Sequence, residues 1–332
     1  MPAASEGDPA VALVRFRVAP DAPAEAGVLL NGVVHRLDLA GLGTTSINDV
    51  IERWAQLGPL LQDLRGRPGL AVEDVTLAAP VEPRQVLQTG ANYREHVVDL
   101  AVSHRPADDP RTEAEARADA GRLIDERAAS GDPYLFIALP QTVVGPDVPL
   151  AIPRSSDRTD WELELAVIIG RRAFRVGRAE ALEHVWGYTV ANDVTRRDLV
   201  FRRDMPAIGS DWFRAKNAPG FTPTGPFAVP AEATRSPFAL RLDVDGETMQ
   251  DASTDDLLFD VPALVEAASQ TIPLLPGDVL LTGSPAGNGQ ARGIFLRPGS
   301  TMVGSISGLG TQRVRCVAEG RSAHPEESST AT

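Results

Sequence analysis

The sequence predicts an α+β fold, predominantly β, in which a small N-terminal α/β domain precedes a larger β-rich one. Three observations carry that reading. The chain has 332 residues, which at roughly 150 residues per domain holds about two. Its 29 glycines and 27 prolines exceed average usage and favour short strands and turns over long helices. Beyond Pro133 the apolar residues fall in strand-length runs, with one clear helical period among them.

Residues 11–40 alternate apolar and polar positions on either side of Asn31-Gly32, which reads as a hairpin. Residues 46–64 follow as a helix, with Ile47, Val50, Ile51, Trp54, Leu57 and Leu61 near a 3.6 period and Ser46 as its N-cap. The N-terminal domain closes near Pro80–Pro83, giving 1–83, and the second domain spans 84–320. A glycine turn at Gly90 leads into a short helix ending near residue 104. Residues 106–132 form an insert rich in Ala, Glu, Arg and Asp, with Leu123 and Ile124 its only large apolar residues. That composition predicts a solvated helix bounded by prolines. Strands are expected at 161–169, 186–191, 240–244, 279–281, 301–306 and 313–317, and a helix at about 255–269. The tail, 321–332, is polar and expected to be disordered.

Acidic residues outnumber basic ones 45 to 32, a net charge of -13, which argues against nucleic acid or an anionic membrane surface as partner. No apolar run reaches the roughly 18 to 20 residues of a membrane span. The first residues show no basic and then apolar leader, so the cytoplasm is the expected compartment. The single cysteine, Cys316, excludes an internal disulfide framework and a cysteine-based zinc or iron–sulfur site. Among the 32 basic residues Lys216 is the only lysine. Guanidinium and ammonium differ in shape and hydration, so either a chemical need holds a lysine there or codon usage explains the bias.

The segment Asp160-Trp161-Glu162-Leu163-Glu164-Leu165 carries the most chemistry. In a strand, residues i and i+2 leave the same face, so Glu162 and Glu164 point together. Such carboxylates repel unless a cation lies between them; an edge strand with a wet acidic face is the other reading. Asp193 falls where the next apolar strand ends. With no cysteine or paired histidine nearby, these three carboxylates form a hard oxygen set suited to Mg²⁺ or Mn²⁺, with Ca²⁺ also possible. Asn192, Arg197 and Asp198 fit capping and surface ion pairs equally well. His96 and Asp99 lie at i and i+3 on one helix face, where the carboxylate can orient the imidazole as a base; a helix-surface pair is the plainer alternative. Lys216 is expected in a Pro- and Gly-rich loop, poised to hold a carbonyl or carboxylate. The run from Thr282 to Gly289 is a strand entering a glycine-rich turn whose donors suit an oxyanion. Neither a P-loop, a dinucleotide fingerprint nor a G-x-S-x-G elbow is present, so no organic cofactor is expected.

In chain order, Asn92-Tyr93-x-x-His96, Asp160-Trp161-Glu162-Leu163-Glu164-Leu165, Asn192-Asp193-Val194-Thr195-x-Arg197-Asp198, Lys216 ten residues before Pro226, and Thr282-Gly283-Ser284-Pro285-Ala286-Gly287 resemble the fumarylacetoacetate hydrolase family. The likeness spans about 12–318. It implies a mixed β-roll or sandwich catalytic domain, a homodimer, and a divalent metal held by Glu162, Glu164 and Asp193. It further implies a small-molecule 2-oxo or 2,4-dioxo acid substrate chelating that metal. Water activation would fall to His96 with Asp99, stabilisation of developing carbonyl or enolate charge to Lys216, and substrate contacts to Asn92, Tyr93, Arg197, Thr282 and Gly283. Hydrolysis of a C–C bond in an acylpyruvate or fumarylpyruvate-like acid is the first expectation; decarboxylation, hydration and isomerisation of 2-oxo acids, or metabolite binding without catalysis, are the alternatives. Asp99 stands where the family usually has glutamate, Pro219 where aspartate is common, and Val200 where a polar residue is frequent. The 106–132 insert follows the segment that acts as a lid in this family.

Overall fold

Side-chain alternation along the first strand builds the N-terminal layer. In the computed structural model, which describes residues 9–320 apart from 39, 104 and 107, strand β1 (Val11–Arg17) sends Ala12, Val14 and Phe16 into one buried cluster and Val11 and Leu13 into another. With β2 (Glu25–Leu30), β3 (Val33–Arg36), β4 (Leu70–Ala71) and β5 (Thr76–Ala78) it forms an antiparallel sheet of order β4-β3-β2-β1-β5. The β2–β3 hairpin turns where expected. Asn31 and Gly32 have φ of 51° and 82°, the left-handed pair that a tight turn matching strand twist requires.

The helix expected over 46–64 is two: α1 (Ile47–Glu52), whose N-cap Ser46 accepts from the Asp49 amide, and α2 (Trp54–Gln62). The break at Arg53 coincides with a tertiary contact that periodicity does not reveal. Trp54 packs edge-on against Trp186, ring centroids 5.3 Å apart, and donates its indole N–H to Glu232 at 2.8 Å.

The central sheet contains β6 (Val86–Gly90), β7 (Tyr134–Ala138), β11 (Leu163–Ile169), β12 (Val185–Asn192), β15 (Val229–Pro230) and β18 (Val279–Leu281), in the order β15-β12-β11-β18-β6-β7. A third sheet contains β9 (Leu150–Ile152), β16 (Ala239–Val244), β17 (Glu247–Ser253), β19 (Thr301–Ile306) and β20 (Gly310–Ala318), in the order β17-β16-β19-β20-β9. Two short ladders, β8 (Val143–Val144) with β14 (Thr222–Pro223) and β10 (Thr159–Asp160) with β13 (Thr195–Arg196), complete the strands.

Strand β11, buried throughout, organises the core. Leu163 and Leu165 pack with Trp161, Leu240, Leu242 and Val314, while Val167 and Ile169 lie against Leu264, Val265 and Ala268 of helix α6 (Val261–Thr271). On the other face Ala166 and Ile168 share a cluster with α1 and α2, and Glu164 lies towards the strand's start. Helix α6 starts later than the sequence suggests. Asp260 caps it by accepting from Ala263 N at 3.0 Å, and Pro262 sits in the first turn, where no N–H is needed.

The 106–132 insert is helical, as expected. Helix α4 (Glu113–Ser130) opens with a full capping box between Thr112 and Glu115 and lies against α3 (Arg94–Ser103). Two ion-pair clusters fasten them. Arg94 grips Asp125 bidentately at 2.8 and 2.9 Å, and Arg117 donates to Asp99 at 2.6 Å and Glu95 at 2.9 Å. A Cβ on Gly121 would stand 2.7 Å from Arg94 Nη2, so glycine keeps room for the first clamp. Among the described residues no helix is long and apolar enough to cross a membrane.

Candidate metal centre and active site

Antiparallel pairing brings the acids together. The β11–β12 register sets Leu163 opposite Asn192 and Glu164 opposite Ala191, so Glu162 and Asp193, one residue beyond, meet at the same end. Asn192 Oδ1 accepts from Glu162 N at 2.9 Å, and Asp193 N donates to Glu162 O at 2.8 Å. One oxygen each from Glu162, Glu164 and Asp193 lies within 4.8 Å of the others, and all three residues are buried. The wet-edge reading of Glu162 and Glu164 is thereby excluded.

Lys216 reaches this cluster from the last residue of a short helix, α5 (Trp212–Lys216), not from a loop. Its ammonium, 2% exposed, donates to Glu162 Oε2 at 2.6 Å, to Thr195 Oγ1 at 2.7 Å and to Asp193 Oδ2. All three of its donors serve the cluster in this state. Arg197 joins from the other side, donating to Glu162 Oε1 at 2.6 Å and Asp160 Oδ2 at 2.7 Å. Asp160 also accepts from Trp161 N, Gly289 N and Gln290 N, so it anchors Arg197 and the glycine-rich turn.

Four buried carboxyl groups therefore face two cations, so with every carboxyl ionised two negative charges go uncompensated. Burial raises the Glu162 pKa, but Arg197 and Lys216 outweigh it and bring the group to about 2. Burial, then the charges of Asp193 and Glu162, pushes Glu164 well above the usual carboxylate range. Asp193 is pushed up to about 6 by burial despite Lys216. A carboxyl forced to keep its proton in an all-oxygen, acid-rich cluster is the environment a hard divalent cation relieves. Glu162, Glu164 and Asp193 fit Mg²⁺ or Mn²⁺ as ligands, and Ca²⁺ shares their donor preference.

A cavity of about 840 Å³ adjoins the cluster, with Arg197 and Asn288 in its wall; Asn288 donates to Trp161 O at 3.0 Å and to Glu162 Oε1 at 3.4 Å. His96 and Asp99 of α3, Arg117 of α4, and Arg158 and Arg203 also line it. Burial lowers the His96 pKa, with Glu162 pulling the other way. The imidazole is thus neutral at pH 7 and able to accept a proton.

A sequence model of the fumarylacetoacetate (FAA) hydrolase C-terminal region matches residues 85–317. The chain belongs to the fumarylacetoacetate hydrolase family. Members of this family are enzymes, among them hydrolases, isomerases and tautomerases. The mitochondrial oxaloacetate tautomerase of Xenopus laevis is 31% identical over 246 residues, 73% of this chain and 68% of that protein. A probable 2-hydroxyhepta-2,4-diene-1,7-dioate isomerase from Mycobacterium abscessus superposes with a TM-score of 0.70 at 30% identity, covering 93% of this chain and 99% of that one. The fumarylpyruvate hydrolase of Pseudomonas aeruginosa, solved with Mn²⁺ and pyruvate, gives 0.57 at 31% identity over 73% of this chain and 91% of that one. The mixed-sheet architecture matches these family folds.

Several site residues expected from sequence are engaged by protein groups in this structure. Asn92 is fully buried and spends its amide on Phe259 O, Thr282 O and Phe259 N at 2.8 to 3.0 Å; it braces the backbone and leaves nothing for substrate. The Thr282 hydroxyl donates to Leu165 O at 3.1 Å. The Gly283 amide donates to Glu164 Oε2 at 2.6 Å, holding a metal-ligand candidate instead of a substrate oxyanion. Tyr93 is buried, with burial and then the Glu164 charge raising its pKa. Of the five proposed substrate contacts only Arg197 lines the cavity. Asp99 Oδ1 accepts from Arg117 Nη1 at 2.6 Å, so the carboxylate's partner in this structure is the arginine. Val200, a departure from the family pattern, does line the cavity.

Sequence reasoning did not assign Asp160, Thr195, Gln88, Asn288 or Arg117. Gln88 donates to Asp193 Oδ1, and a glutamine inside the buried run of β6 was a usable signal. Asp160 and Thr195 lay within the motifs already singled out. Arg117 gave none, because its role depends on how α4 packs on α3.

Proposed function

We propose that this chain is a divalent-metal-dependent hydrolase that cleaves a C–C bond of a 2,4-dioxo acid, such as an acylpyruvate or fumarylpyruvate-like compound. One observation carries the reading: a buried, proton-retaining carboxylate triad adjoins a roughly 840 Å³ cavity that holds a neutral histidine and several arginines. When bound, the metal supplies Lewis-acid polarisation of the 2-oxo group. His96 takes a proton from water, whose oxygen bonds to the distal ketone carbon. The bond from that carbon to C3 then breaks, its electron pair is drawn into the 2-oxo group, and His96 returns the proton as pyruvate forms. Arg197 and Lys216 keep Glu162 and Asp193 ionised and oriented. The volume suits a longer acid than oxaloacetate.

A second reading, keto–enol tautomerisation of a smaller 2-oxo acid, is favoured by the likeness to the oxaloacetate tautomerase and needs only His96 as a single acid–base group to move a proton between carbon and oxygen. The test follows the enol absorbance of an acylpyruvate with EDTA-treated protein, with and without Mg²⁺ or Mn²⁺, and assays pyruvate. Metal-dependent loss of the band with stoichiometric pyruvate supports hydrolysis. Accelerated enol–keto equilibration of oxaloacetate, with no cleavage of the acylpyruvate, would replace it with the second reading.

A further inference from the structure

We propose that Arg117 is a latch that senses a second carboxylate on the substrate and releases Asp99 to His96. The inference rests on the 2-oxo acid reading above and adds a specificity element from helix α4. His96, Asp99 and Arg117 line the same cavity. The Asp99 carboxylate is held by Arg117 Nη1 at 2.6 Å, and Arg117 Nη2 is anchored on Glu95 at 2.9 Å. The guanidinium side chain is 36% exposed and Asp99 46%, and an ion pair this open to water is weakly held and exchangeable.

An incoming carboxylate can take the Nη1 donor that Asp99 now occupies, while Glu95 keeps the arginine in place. A planar fork suits such an exchange. Once displaced, Asp99 has a ready second partner: it is one helical turn from His96 on the same face, and its charge already acts to raise the imidazole's basicity. Binding of a dicarboxylic oxo acid thus assembles the dyad that the free protein lacks. Acids with one carboxylate leave Asp99 latched. Arg117 is on this account a positioning residue, and α4 contributes to selectivity as well as to cover.

The experiment is calorimetric titration of the full chain with Mn²⁺ present, using 2-oxoglutarate and 2-oxopentanoate. These differ only in a terminal carboxylate against a methyl group. Wild-type protein is expected to prefer 2-oxoglutarate by about tenfold or more, as for a charge-assisted contact. Arg117→Gln should bring the two within about twofold by weakening only 2-oxoglutarate, and Arg117→Lys should restore part of the preference. Asp99→Asn removes the competitor and should widen it. The opposite signs separate a latch from a structural clamp. If Arg117→Gln and Asp99→Asn weaken both acids alike, or leave the preference untouched, the latch is overturned while the oxo-acid site stands. Binding of neither acid to the wild type would overturn the oxo-acid reading, and the latch with it.

Discussion

Metal binding at the carboxylate triad should expel protons, in a number set by pH. In the metal-free protein Glu164 is held well above the ordinary carboxylate range by burial and by Asp193 and Glu162, and Asp193 lies at about 6. The proton that Glu164 holds must leave for the cation to enter, and at pH 5 Asp193 gives up a second. Each proton displaced makes the Mn²⁺ dissociation constant fall about tenfold per pH unit, so the dependence steepens below about pH 6, where Asp193 adds its proton. Titration in two buffers of different ionisation enthalpy counts the protons directly. Glu164→Gln mimics the protonated acid and keeps an acceptor for the Gly283 amide. Its metal-free stability should stay within about 1 kcal/mol of wild type at pH 7, the range of one neutral hydrogen bond. Its Mn²⁺ affinity should fall at least about a hundredfold, since groups one shell further out are already worth 10- to 100-fold. The linkage also has a sign. Raised folded-state values stabilise the metal-free protein below the ordinary carboxylate range, and that contribution is lost as pH rises through about 6 for Asp193 and through the raised value of Glu164. The metal-free Tm should therefore fall with pH over that window and the Mn²⁺-loaded Tm should not. No proton release at pH 5, or unchanged Mn²⁺ affinity in Glu164→Gln, would refute the reasoning.

Lys216→Met leaves Glu162 and Asp193 buried beside one cation fewer, at a cost of about 3–5 kcal/mol in urea unfolding without metal; Mn²⁺ should recover much of it, and a loss below about 1 kcal/mol would sink the account. Asn92→Ala forfeits three buried hydrogen bonds to backbone and should cost about 2–4 kcal/mol with little change in KM; raised KM at unchanged stability would return Asn92 to the substrate. Thr112→Ala removes the α4 capping box and should weaken that helix by about 1 kcal/mol, seen as faster amide exchange in its first turn. Unaltered exchange there would show that packing on α3 alone holds the end.

The parts of this molecule that local rules control were legible in the sequence. The Asn31-Gly32 hairpin needs only two residues tolerant of positive φ, and strand periodicity alone puts Glu162 and Glu164 on one face. Asp193 was reachable because a carboxylate closing an apolar strand has few other uses. Groups whose surroundings depend on tertiary partners were not legible. Asn92, Thr282 and Gly283 stand in donor-rich motifs, but whether those donors are free depends on Phe259, Leu165 and Glu164, which arrive from elsewhere in the chain. The same holds for Asp99, whose partner lies across a helix–helix contact, and for α6, whose start is governed by Asp260 and Pro262 instead of by its apolar stripe.

The solitary lysine makes the protein its own reporter. Its side-chain amine is sealed behind two carboxylates and a hydroxyl, so an amine-directed acylating reagent meets no accessible ε-amine on the native fold. Labelling at Lys216 becomes possible only when the cluster opens, and the labelling rate is then a stopwatch for that opening. Because every other basic side chain is an arginine, one mass increment in a peptide digest would report the event without interference from other lysines.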